Sequence, residues 1–401
     1  MSKIKLKVLQ EDDLRDRIGV VVGTRPGIVM FSPIVRELER QGADFFVVHT
    51  GQHYSFNMDR AFFDDLELRE PDHKLETVRT CIYHGEQTAE MLKGIERVLL
   101  HEKPRCVLVG GDANTNLAGA LAARKLRLAV GHVEAGERSY DWRMPEEHNR
   151  VMIDHISDVL FVTNEKGRTN LLREGIRGRI VVSGNPIVDA ARQNQAIALQ
   201  KSRILDKLGL HPKEYFVLTL HREENVDSRE NLSDVLRAVR EVAEQTGTQV
   251  QFIAHPRTLK RIGEFGLQRD VDRAGDVVQV QEAIGYLDFL KLASDARLVL
   301  TDSGGVQQEA CILGVPCVTL RENTEWTETL EIGANALAGT DPQRIVETVS
   351  RMLEVERGWD VPFGDGRSSV RIVDMALEMA KAAFPQGLQY SDGRAEEAGR
   401  V

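Results

Sequence analysis

The 401-residue chain has no apolar run of about 18 residues, so no membrane span is expected. Its four cysteines, Cys81, Cys106, Cys311 and Cys317, are scattered, with no Cys-x-x-Cys pair and no zinc-type spacing. Cys106, Cys311 and Cys317 sit in apolar runs and read as core thiols, which points to a reducing, cytoplasmic compartment. Basic residues are outnumbered, 52 against 62 acidic ones, and the net charge of −10 disfavours nucleic acid as a partner. No His-x-x-x-His or Glu-x-x-His arrangement on one helix has a good third ligand, and His148 and His155 stand two helical turns apart. No metal is therefore expected. The first apolar run ends in Gly23-Thr24-Arg25-Pro26, not in Gly-x-Gly-x-x-Gly, which weakens a hydride-transfer reading; no cofactor is expected.

What is present is a regular alternation. Short β-branched runs at 18–23, 45–49, 106–110, 129–133, 159–163 and 180–183 alternate with longer amphipathic stretches. In one of these, 28–40, Ile28, Phe31, Ile34, Val35 and Leu38 mark a single face. A second series starts at 215–220 and continues at 250–254, 277–280, 298–300 and 316–320. Nearly continuous apolar strands between helices imply parallel sheets buried on both faces. The expectation is an α/β chain of two doubly wound Rossmann-like domains with ligands at the carboxyl ends of strands. Residues 1–17 read as an N-terminal extension without an apolar signal core, 18–192 as the first domain and 193–365 as the second. Residues 366–385 read as a helix returning to the first domain, and 386–401 as a flexible tail. The polar stretch 193–214 is the expected hinge.

The candidate chemistry follows these strands. Asp302-Ser303-Gly304-Gly305 leads from a strand into a helix carrying Gln308 and Glu309. Glycines there admit a ligand to the free N–H groups of the first turn, a natural diphosphate site. The cluster from Arg321 to Glu325, after the next strand, offers a carboxylate for a ribose. At the end of the first strand, Arg25 either clamps a phosphate or is a solvated residue of a tight turn. Asp112, in Gly110-Gly111-Asp112, either acts in chemistry or caps the next helix through Asn114 and Thr115. Glu134 ends an otherwise apolar strand, so it needs a partner or a raised pKa, the state suited to acid/base work. Glu146 and Arg150 share one helix face, either as an exposed pair or aimed together at substrate. His221-Arg222 and His255-Pro256-Arg257 end two strands of the second series and favour phosphate and sugar chemistry.

Taken together, Gly23-Thr24-Arg25-Pro26, His49-Thr50-Gly51-Gln52-His53, His84-Gly85-Glu86-Gln87-Thr88, Gly111-Asp112 and Gly131-His132-Val133-Glu134-Ala135-Gly136 occur in order. Pro145-Glu146-Glu147, His221-Arg222, His255-Pro256 and Thr301-Asp302-Ser303-Gly304-Gly305 follow. This set closely resembles the non-hydrolysing UDP-N-acetylglucosamine 2-epimerases from about residue 19 to 384. The resemblance implies a fold of the glycosyltransferase B type, a homodimer, and a UDP-sugar in the interdomain cleft. It also implies inversion at carbon 2 by elimination of UDP to a glycal and re-addition on the other face. Asp112, Glu134, Glu146 and His221 fall at acid/base and leaving-group positions. Arg25, His255, Ser303, Gly304, Gly305 and Glu309 fall at nucleotide and phosphate positions, and Arg150 at the substrate.

Several positions depart from the family pattern. Gly27 stands where a glutamate is usual, Met30 for a lysine, Ala113 for a threonine, Glu137 for a leucine, and Trp326 for an arginine. Those changes fit a modified substrate, such as a 2,3-diacetamido sugar or its uronic acid, if Gly27, Met30 and Trp326 line the sugar pocket. A UDP-sugar-dependent glycosyltransferase and a non-catalytic UDP-sugar sensor are the other readings.

Overall fold

The computed structural model describes residues 8–52, 62–273, 275 and 277–382. His53 and the tail 386–401 lie outside them. The described residues divide into two units, one of 8–52, 62–63, 68–186 and 366–382, the other of 64–67, 187–273, 275 and 277–365.

The first unit holds strands β1 (Arg15–Val22), β2 (Phe45–His49), β3 (His73–Lys74), β4 (Pro104–Gly110), β5 (Ala129–Ala135), β6 (Val159–Val162) and β7 (Arg179–Val182). They form one parallel sheet in the order β3-β2-β1-β4-β5-β6-β7. The order reverses between β1 and β4, the switch point at which such sheets bind ligands. The first amphipathic stretch forms the helix Arg25–Arg40, capped by Thr24, whose Oγ accepts from the Gly27 N–H at 3.2 Å. Pro26 in the first turn fixes the entry, so Arg25 is already helical. Ile28, Phe31, Ile34, Val35 and Leu38 are all buried, each contributing about 2 kcal/mol of apolar burial. The helix Ser368–Lys381 belongs to this unit and packs on β1, β4 and Arg25–Arg40.

The second unit holds β8 (Tyr215–Leu220), β9 (Gln249–Ala254), β10 (Val278–Gln281), β11 (Leu298–Thr301), β12 (Cys317–Thr319) and β13 (Asn335–Leu337). They too are all parallel, in the order β10-β9-β8-β11-β12-β13, with the reversal between β8 and β11. The strands expected from sequence are all present, 45–49 and 215–220 with the same ends and the others with an end shifted by up to three residues. Two edge strands were not expected. His73–Lys74 is two polar residues, and Asn335–Leu337 has no β-branched side chain to mark it.

No helix among the described residues is long and apolar enough to cross a membrane.

Candidate active site

At the carboxyl end of the first sheet, Gly23 brings β1 against a polar pair. A Cβ there would lie 2.0 Å from Thr50 Oγ and 2.2 Å from Thr115 Oγ, which are bonded to each other at 2.7 Å. Gln52 Oε1 accepts from the Thr115 N–H at 2.9 Å and from its hydroxyl at 2.7 Å. Arg25 lies 5.9 Å from the Phe62 ring, and its guanidinium has no hydrogen bond or ion pair among the described residues.

Asp112 does not cap the next helix. The helix Asn114–Lys125 starts from Ala113 with no side-chain cap, while Asp112 accepts from Arg150 Nη2 at 2.5 Å. A guanidinium offers a charge-assisted bond stronger than a neutral cap. Arg150 in turn pairs not with Glu146 but with Glu147, at 2.8 Å. Buried Glu147 also accepts from the Ser139 N–H and hydroxyl at 2.9 Å and the Tyr140 N–H at 3.0 Å, so it anchors the 139–140 loop. Glu146 is left half-buried, with no polar partner among the described residues.

Glu134 interrupts the ladder. The pairing of β5 with β6 slips between Val133 and Ala135, and Glu134 has φ +65°. A non-glycine residue in this region stores about 1–3 kcal/mol, held by the surrounding sheet. The bulge places the carboxyl 3.5 Å from where a Cβ on Gly111 would lie, next to Asp112. Burial, then the Glu137 and Asp112 carboxylates, push its pKa up to about 8. The Asn185 amide, which donates to Oε1 at 3.3 Å, and the Arg150 charge work the other way. The result is a carboxylic acid that keeps its proton at neutral pH, half-buried beside a carboxylate held by a guanidinium.

In the second unit, buried Asp302 closes the end of β11. It accepts from the N–H of His221 at 3.0 Å and of Arg222 at 3.0 Å, and from Asn225 Nδ2 at 3.2 Å. His221 Nδ1 lies 3.0 Å from its other oxygen. Burial alone would raise the Asp302 carboxyl, but the His221 ring and the two N–H groups outweigh it and hold it below the usual range. The anion fixes the His221 tautomer with the proton on Nδ1, leaving Nε2 for proton transfer. His255 caps the helix Pro256–Glu264, its Nδ1 accepting from the Arg257 N–H at 3.2 Å. Burial, then His221 and Arg257, depress its pKa, so Nε2 is its remaining N–H donor.

Thr219, His221, His255, Ile284, Phe289 and Ser303 line a cavity of about 270 Å³ in this unit. Beside it starts the helix Gly304–Ile312. The Ser303 N–H is taken by Thr301 Oγ at 2.9 Å, but its hydroxyl does not cap the helix, and the Gly304 and Gly305 N–H groups are open. Gly304 is needed for space: a Cβ there would lie 2.1 Å from Glu325 Oε1 and 3.2 Å from Trp326 Nε1. Glu325, one of the two carboxylates of the cluster read toward a ribose, is bonded to Arg321 at 2.9 Å against that first turn. Glu309 is the buried carboxyl; burial pushes it up to about 7 against the Tyr286 hydroxyl, which donates to it at 2.9 Å.

Of the departures, Met30 is buried in the first unit, its Cε 2.8 Å from where a Cβ on Gly110 would lie and 3.8 Å from one on Gly111. Trp326 packs edge-on against Phe363 at 5.5 Å within the second unit. Met30 therefore faces the strand ends that carry Asp112 and Glu134, whereas Trp326 is a packing residue at the helix start. Among the described residues no group of three His, Cys, Asp or Glu side chains is placed to hold a metal ion.

Sequence reading passed over Asn185, although Gly184-Asn185-Pro186 follows a strand as most of the other motifs do. It also missed Asn149, whose amide donates to the Asp112 carbonyl at 2.8 Å.

Two parallel-sheet units of this kind define an α/β enzyme fold of the glycosyltransferase B type. Over 90% of the chain and 99% of the other, it superposes at a TM-score of 0.79 and 49% identity on the crystal structure of Methanocaldococcus jannaschii UDP-GlcNAc 2-epimerase in complex with UDP-GlcNAc and UDP. The family described as UDP-N-acetylglucosamine 2-epimerase matches residues 36–377, and the chain belongs to that family. It is 48% identical over 365 residues, 90% of this chain and 98% of the other, to the UDP-N-acetylglucosamine 2-epimerase of Methanococcus maripaludis. At 39% identity, over 90% of this chain and all of the other, it resembles the UDP-2,3-diacetamido-2,3-dideoxy-D-glucuronate 2-epimerase of Pseudomonas aeruginosa.

Proposed function

We propose that the protein interconverts UDP-N-acetylglucosamine and UDP-N-acetylmannosamine. The observation that carries this reading is Glu134, a protonated carboxyl on a strained bulge beside the Asp112–Arg150 pair. Carbon 2 of the sugar has no acidic proton of its own, so direct deprotonation to a carbanion is too costly. Removal of that proton in concert with cleavage of the C1–O bond makes a C1=C2 double bond and releases UDP. Re-addition returns the UDP oxygen to carbon 1 and a proton to the opposite face of carbon 2. One group must take the proton and another must supply one, which suits neighbouring carboxyls of opposite protonation state. Asp112 and Glu134 take these roles, with Glu146 and His221 as further acid/base groups. Arg25, Arg150 and His255 meet the growing negative charge of the leaving diphosphate, and Ser303, Gly304 and Gly305 hold it at a helix start. Glu309 binds the nucleoside.

The protein works as a homodimer in the cytoplasm in this reading; the buried free thiols Cys106, Cys311 and Cys317 suit a reducing compartment. Light scattering at twice the chain mass and cell fractionation check these two points.

The test is acceptor-free incubation with purified UDP-sugars, followed by anion-exchange chromatography. Appearance of UDP-N-acetylmannosamine from UDP-N-acetylglucosamine is expected. Turnover only when a sugar acceptor is added would replace epimerisation by glycosyl transfer. Turnover of a 2,3-diacetamido uronate alone would move the substrate to the modified class.

A further inference from the structure

Beneath the strand ends that carry Asp112 and Glu134 lies a closed cluster of buried ions within the first unit. Asp154, on the helix Pro145–Ile156, is 0% exposed. Its carboxylate accepts from His132 Nδ1 at 2.7 Å, from Arg138 Nη2 at 2.7 Å and from the Gly136 N–H at 3.2 Å. His132 is also 0% exposed, and its other nitrogen, Nε2, lies 3.1 Å from the Gly111 carbonyl. Both ring nitrogens thus face oxygen acceptors. The other oxygen of Asp154 is taken by Arg138, which reaches out to Glu174 at 2.6 Å. Burial alone would raise the Asp154 carboxyl, but His132 and Arg138 hold it below the usual range.

The tethers end next to the reacting groups. Gly111 immediately precedes Asp112, while His132 and Gly136 stand two residues to either side of Glu134. Gly111, Glu134 and Gly136 all have left-handed backbone, with φ of +81°, +65° and +78°. Each therefore turns the chain sharply where a carboxyl must be aimed. The Glu137 and Asp112 carboxylates both disfavour ionisation of Glu134, so the spacing of the two strand ends bears directly on its proton.

We propose that His132 and Asp154 are a positioning pair that clamps the β4 and β5 ends together and sets the working separation of Asp112 and Glu134. The proposal rests on the acid/base reading of those two carboxyls. It assigns no contact with substrate to either residue.

The test compares His132→Gln, His132→Asn and His132→Phe, with Asp112→Asn and Glu134→Gln alongside. The Gln amide reaches the Gly111 carbonyl; the shorter Asn amide does not, and Phe keeps volume without a donor. The expected result is a kcat loss of about 100-fold in the Asn and Phe variants, with KM and UDP affinity nearly unchanged, and recovery to within about tenfold in the Gln variant. Equal kcat loss in all three that tracks their thermal midpoints would mean packing alone and overturn the proposal. Wild-type kcat in a folded Asn variant would overturn it as well. Normal turnover in Asp112→Asn or Glu134→Gln instead removes the acid/base reading itself, and with it the need for a clamp. Should His132→Asn fail to fold, nitrogen-15 NMR of histidine-labelled wild-type protein decides: a ring proton on Nδ1 shared with Asp154 is expected, and a ring without a proton on Nδ1 overturns the clamp.

Discussion

Replacing Glu134 by Gln separates function from stability in a way specific to this site. The Glu134 carboxyl is raised from 4.5 to about 8 in the folded chain, chiefly by burial and then by Glu137 and Asp112. In the unfolded chain it ionises near its ordinary value. Between those two values the unfolded state releases a proton that the folded state keeps, so folding is penalised as pH rises. The penalty is absent below about pH 4.5, grows through the window up to about 8, and is constant above it. A full shift of this size corresponds to roughly 5 kcal/mol at about 1.4 kcal/mol per unit. Glu134 is half-buried, and solvent screening brings the expected penalty down to about 2 kcal/mol. Glutamine has the shape of the protonated acid and never ionises, so Glu134→Gln escapes the penalty. The variant is expected to match wild type in urea unfolding at pH 5 and to exceed it by about 2 kcal/mol at pH 8.5. Turnover falls over the same comparison by about 10²–10⁴-fold, the usual worth of a positioned acid or base. A variant less stable than wild type at pH 8.5, or one whose stability difference does not change with pH, would refute the reasoning.

Gly304→Ala is expected to weaken UDP binding by tenfold or more in calorimetry, because its Cβ would sit 2.1 Å from Glu325 Oε1 and push the turn off the helix start. Ser303→Ala removes only a hydroxyl and is expected to weaken UDP binding less, with an unchanged thermal midpoint. Asp302→Asn removes the anion that holds the His221 tautomer, so kcat is expected to fall by about 10²-fold or more. The wild-type stability tied to Asp302 is present above about pH 3.8 and is lost as pH falls through its lowered folded value, so acid unfolding of the Asn variant is expected to lack that component. Met30→Lys introduces an ammonium beside Gly111 and Glu134 and is expected to move the alkaline limb of the kcat/KM profile toward lower pH by about one unit. An unmoved limb would place the new charge in solvent.

Both sheets were legible because their central strands are runs such as Ile18 to Val22 and Leu298 to Leu300, apolar on both faces and bounded by glycine or polar strand ends. Glu134 was legible for the same reason: a carboxyl at the end of such a run has to be compensated. The partners were not. Glu146 and Glu147 sit four and three residues before Arg150, and helical spacing permits either pairing; only the 139–140 loop, closing on Glu147, decides it. A cap was one of two open readings for Asp112 because sequence shows the local amides but not Arg150, 38 residues away. His132 and Asp154, 22 residues apart and on different elements, carry no spacing signal at all. Trp326, read as a possible sugar contact, packs on Phe363 because its loop returns to the hydrophobic cluster of Val188, Cys311 and Ala334.

The central claim is that the proton on carbon 2 is removed and replaced, and proton NMR of the wild-type protein with UDP-N-acetylglucosamine in deuterated water tests it most directly. The account predicts UDP-N-acetylmannosamine carrying deuterium at carbon 2, with the same label entering the recovered substrate. Product that retains its original proton at carbon 2, or no product at all, would contradict it.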